Sequence, residues 1–74
     1  MAHFKQILIF KTNIQTEQDK QFIQQALNAH DQIQRWTIDQ HDVDCVLRIE
    51  SNAVAPEQII SVINHHGFEC AELE

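Results

Sequence analysis

The sequence has one Gly and one Pro in 74 residues, and 43% of it is hydrophobic. A disordered or low-complexity chain is excluded, because such chains are poor in apolar residues and rich in breakers. No apolar run approaches the roughly 20 residues that a bilayer-spanning helix needs. Met1-Ala2-His3-Phe4-Lys5-Gln6 has neither the basic start nor the small-residue cleavage site of a secretion signal, so a cytoplasmic location is expected. Basic residues are scarce: five Lys and Arg stand against eleven Asp and Glu, for a formal net charge of −6. Lys5, Lys11, Lys20, Arg35 and Arg48 are scattered, which argues against a phosphate-binding stripe and against docking on anionic lipid. Neither a nucleic-acid nor a membrane partner is expected. Cys45 and Cys70 are too few for a disulfide scaffold, and each falls in an apolar strand pattern, so reduced and buried thiols are expected.

Against these absences stands a clear change of period along the chain. Residues 4–11, centred on Ile7-Leu8-Ile9-Phe10, are apolar on both faces, as a central strand can be. From Thr16 to about His30 the spacing turns helical. Phe22, Ile23, Ala26, Leu27 and His30 form one stripe, and Gln18, Gln21, Gln24, Gln25 and Asn28 fill the other side. Ile33, Trp36 and Ile38 predict a second strand ending near Gln40. His41-Asp42 opens a short polar connection, and residues 44–50 place Cys45, Leu47 and Ile49 on one face of a third strand. Residues 51–55 read as a linker. Pro56 suits the first position of a second helix, with Ile59, Val62, Ile63 and His66 on its buried face and Gly67 as its stop. Residues 68–73 form the last strand.

The order β-α-β-β-α-β predicts an α+β, ferredoxin-like sandwich, with two helices on one face of a four-stranded antiparallel sheet. It fills residues 1–74 as a single domain, since a chain this short has no room for a second core. The RNA-recognition module shares that element order, but its aromatic-rich strands are absent. A Gly-rich phosphate loop, a Gly-x-Ser-x-Gly elbow and a His-Glu-x-x-His pair are also absent. An inward-facing cysteine without a base is no nucleophile. The expectation is a protein that is not an enzyme and carries no cofactor.

In the order of its pieces the chain resembles the heavy-metal-associated domain of copper chaperones and metal-transporting P-type ATPases. Ile23-Gln24-Gln25-Ala26-Leu27 is similar to the family's first helix, Ile33-x-x-Trp36-x-Ile38 to its second strand, and His66-Gly67-Phe68-Glu69-Cys70 to its final turn. The resemblance implies the ferredoxin-like fold and, in the family, soft-metal transfer through Gly-Met-x-Cys-x-x-Cys before the first helix. Counting back from Ile23 puts Asn13 at that Gly, Ile14 at the Met, and Thr16 and Asp19 at the two cysteines. A hydroxyl and a carboxylate do not replace two thiolates for a soft ion.

Two readings of Thr16 and Asp19 follow. Thr-x-x-Asp ahead of an apolar-periodic helix is close to a capping box, with Asp also favoured by the helix dipole. Alternatively, the loop before the first helix and the turn after the second lie at one end of such a fold. Thr16, Glu17 and Asp19 would then approach His65 and His66 and offer carboxylate and imidazole to a Zn, Ni or Cu ion. Adjacent histidines on a helix point roughly 100° apart, which makes joint chelation awkward. His3, His30 and His41 read as surface or cap residues.

The sheet face away from the helices is the other candidate. Alternation turns Leu8, Phe10, Leu47, Ile49 and Cys70 inward and leaves Ile7, Ile9, Val46 and Ala71 or Leu73 outward, rimmed by Lys5, Lys11, Arg48, Glu50 and Glu69. Such a patch fits a protein partner or a homodimer, although branched residues are also ordinary strand formers. The function expected is an interaction module that keeps the metallochaperone-like fold without its thiolate pair; a carrier or sensor using Asp and His is the alternative.

Overall fold

The change of period along the chain is realised in the computed structural model, which describes residues 6–73. The elements are β1 (Gln6–Thr12), α1 (Glu17–Asn28), β2 (Arg35–Asp39), β3 (Val46–Ser51), α2 (Pro56–His65) and β4 (Cys70–Glu72). Residue 4, the expected start of the first strand, lies outside the described residues, as do His3 and Lys5. The four strands form one antiparallel sheet in the order β2-β3-β1-β4. No helix among the described residues is long and apolar enough to cross a membrane.

Register decides which residues meet. Leu8 faces Ile49 and Phe10 faces Leu47 across β1 and β3, while Trp36 and Ile38 of β2 face the same two β3 residues. Phe10, Leu47 and Ile49 are fully buried, together with Ile23 and Leu27 of α1 and Ile59 and Ile63 of α2. Both helices therefore close on one alternating set of strand residues, as alternation predicted. Leu8, Trp36, Ile38 and Cys70 pack against the edges of that core. Each fully buried large apolar side chain contributes about 1.5–3 kcal/mol, the main force holding so small a sheet to its helices.

The helix ends are built locally. At α1, the Thr16 hydroxyl accepts from the Asp19 amide at 3.0 Å, and Asp19 Oδ2 accepts from the Thr16 amide at 3.3 Å, a complete capping box. At α2, Pro56 occupies the first turn and Gln58 Oε1 accepts from the Ala55 amide at 2.8 Å. Gly67, at φ +89°, ends the helix: its amide donates to Asn64 O, and that of Phe68 to Ile63 O. That Schellman closure needs the left-handed backbone glycine adopts at low cost.

Four expectations are corrected. Phe22 is 63% exposed. Ile23 and Leu27 already point at the sheet, and their neighbour is turned roughly 100° away, beside Gln18, Gln21 and Gln25. His66 is exposed instead of buried, because α2 stops at His65 and the cap residue leaves the helical stripe. Cys45 precedes β3 in a left-handed turn at φ +44°, so it is buried without belonging to a strand. Ser51 is no linker residue. It ends β3, fully buried, with its hydroxyl donating to Gln32 O and accepting from the Ala53 and Val54 amides, both at 3.1 Å.

Candidate functional site

The loop before α1 and the turn after α2 lie, as expected, at one end of the sheet, and the β2–β3 hairpin meets the loop there as well. Thr12 joins two of these segments. Its amide donates to Asp44 O at 2.9 Å, and its hydroxyl donates to Cys45 O at 2.7 Å while accepting from the Ile14 amide at 3.2 Å. Ile14 is fully buried and anchors the loop in the core. Asn13 and Glu69 bond reciprocally: Asn13 Nδ2 donates to Glu69 Oε2 at 3.2 Å, and the Glu69 amide donates to Asn13 Oδ1 at 2.8 Å. Gln40 Nε2 donates to Thr16 O at 2.7 Å. Asp19 Oδ2 also accepts from the Gln15 amide at 3.2 Å. The side chains of Thr12, Asn13, Thr16 and Asp19 are thus engaged in holding this loop in place.

The histidines stand apart from that network. His65 and His66 are both exposed, with their rings edge-on and centroids 5.8 Å apart. His66 Nδ1 lies 2.9 Å from Val62 O; a carbonyl only accepts, so this ring nitrogen carries the proton. Thr16 and Asp19 are thus brought together, and so are His65 and His66. Among the described residues, no three His, Cys, Asp or Glu side chains, including Glu17, gather as a ligand set. Both thiols are free. Burial pushes the Cys45 thiol up, reinforced by the carboxylates of Asp42, Asp44, Asp19 and Asp39. Burial alone pushes Cys70 up to about 11. Both remain protonated at neutral pH, the poorly nucleophilic and poorly ligating form.

The open sheet face can be read row by row from the register. Arg35, Glu50 and Ile7 lie side by side, then Thr37, Arg48 and Ile9, with the Leu73 amide donating to Ile9 O at 2.8 Å. In the last row Asp39 faces Val46 on one side, and Lys11 faces Ala71 on the other. Ile7 is 56% exposed; Ile9, Val46 and Leu73 are half-buried, and Ala71 is exposed. Leu73 falls one residue beyond β4. Arg48 does not rim this patch, as expected from sequence, but stands in its middle opposite Ile9. Arg35 Nε lies 3.9 Å from Glu50 Oε2, a long contact between an exposed Arg and a half-buried Glu that is worth little by itself. A shallow depression of about 440 Å³ lies between Thr37, Asp39, Asp42, Val46 and Arg48.

Sequence reasoning missed Thr12, Gln40 and the Asn13–Glu69 pair. Only Thr12 left a signal: an inward-facing hydroxyl at a strand end demands a partner. Compared with known proteins, the chain matches no family model and no curated protein.

Proposed function

We propose that the chain is a ferredoxin-like, metallochaperone-like domain without the soft-metal thiolate pair, acting in the cytoplasm as a non-enzymatic protein-interaction module. The observation that carries this reading is the open sheet face, where Ile7 stands 56% exposed beside Ile9 and Leu73. Apolar area gathered on one face is what a partner removes from water. The commitment of Thr16 and Asp19 to the α1 cap supports the loss of metal transfer, since a carboxylate used as a cap must give up those bonds to ligate.

The experiment replaces Ile7 and Ile9 with Glu and compares sedimentation of the labelled chain, both purified and in cell extract. The expected result is a species heavier than 8.6 kDa that reverts to the monomer in the variant. Circular dichroism should be unchanged, because both residues lie outside the buried core. An identical sedimentation profile for the two proteins in both settings would overturn the reading.

A further inference from the structure

We propose that the occupant of the open sheet face is a second copy of the chain, entering through its Asp42-Val43-Asp44 hairpin tip. The inference rests on the reading of that face as an interface and names what covers it. Val43 is 94% exposed, the most exposed of the large apolar side chains among the described residues, and it has no part in the core. A carboxylate flanks it on each side.

The tip is held in shape before any contact. Asp42 Oδ1 accepts from the Asp44 amide at 2.8 Å, the Cys45 amide donates to Asp42 O at 3.0 Å, and Asp39 Oδ1 accepts from the His41 amide at 3.1 Å. Thr12 fastens its base to β1 through Asp44 O and Cys45 O. A preformed tip loses little conformational freedom on docking.

The face offers the complement. Lys11 and Arg48 are exposed beside Ile9, Val46 and Ala71, and neither is in an ion pair among the described residues. Two carboxylates around one branched apolar side chain thus match two cations around a branched apolar floor. Asp39 and the receiving copy's own Asp42, which line one depression with Val46 and Arg48, repel the tip from the β2 side and direct it toward β1 and β4. At a net charge of −6, two copies repel one another at long range, so they associate only where patches of opposite sign meet. Asp42 also lines the depression beside Val46 and Arg48, so tip and face adjoin on one copy, and a two-fold pair can reciprocate the contact.

Sedimentation equilibrium of the purified full chain at low and high salt tests this. Self-association is expected at low ionic strength, with Kd rising about tenfold or more as salt screens the contact. Val43→Ser should weaken it by about tenfold. Lys11→Glu with Arg48→Glu should abolish it, and so should Asp42→Lys with Asp44→Lys in a separate chain. Mixing those two chains should restore association, because tip and face then carry opposite signs in both directions, and restoration also shows that both variants are folded. Association that strengthens with salt and survives either charge reversal would overturn the tip contact and leave the sheet-face reading standing. So would a purified chain that is monomeric throughout, while the heavier species in extract still depends on Ile7 and Ile9.

Discussion

The two faces of the sheet are made by the same strands and differ only in which alternate residues they show. Inward, Phe10, Leu47 and Ile49 are fully buried and meet both helices. Outward, Ile7 and Ile9 lie among Arg48, Lys11 and Glu50, with water on one side. Strand propensity is served equally by both sets, since branched residues suit a pleated backbone wherever they point. Only the inner set is also required by volume. The outer isoleucines are therefore where sequence is free to serve something other than folding.

Substitutions can break this contrast, beginning on the inner face. Ile49→Ala should cost about 2–5 kcal/mol, much of the stability of a domain this small, and should appear as a large loss in the denaturant midpoint. Ser51→Ala comes next. It leaves Gln32 O and two amides without their partner and should cost about 1–3 kcal/mol in the same measurement. On the outer face Ile7→Thr keeps a branched strand former and should stay within about 0.5 kcal/mol. A cost near that of Ile49→Ala would erase the distinction between the faces.

Cys70 contributes an effect that is absent near neutral pH and develops only in alkali. Its thiol pKa is raised to about 11 by burial, so the native chain holds a proton that the unfolded chain releases from about pH 9. Stability contributed by the neutral thiol is complete below that pH and is lost as pH rises toward about 11. The denaturant midpoint of the native sequence should fall across this window more than that of Cys70→Ser; parallel curves would remove the effect.

Element order, the α1 cap, Pro56 at the start of α2 and the inner residue set were all legible in the sequence, because each depends on local chemistry or on strict alternation. What escaped depended on where elements stop and on distant partners. His66 keeps helical spacing on paper, but the helix ends one residue earlier, and Phe22 loses its place to Ile23 within a single turn. Asn13 and Glu69 are 56 positions apart, and no local pattern announces their pairing. The candidate site was legible in its outward residues, while the central position of Arg48 required the register.

The shortest strand has a consequence for how the chain survives its own synthesis. β4 is three residues long and pairs with Phe10, Lys11 and Thr12, and the Leu73 amide extends that cover to Ile9. Until residues 70–73 emerge, the stretch Ile9-Phe10-Lys11-Thr12 presents unpaired amides and carbonyls at the end of an apolar run, the kind of template on which other strands add. β4 is thus a guard for β1, which is made well before it, and a chain that loses β4 is exposed to strand-on-strand aggregation before it is exposed to unfolding.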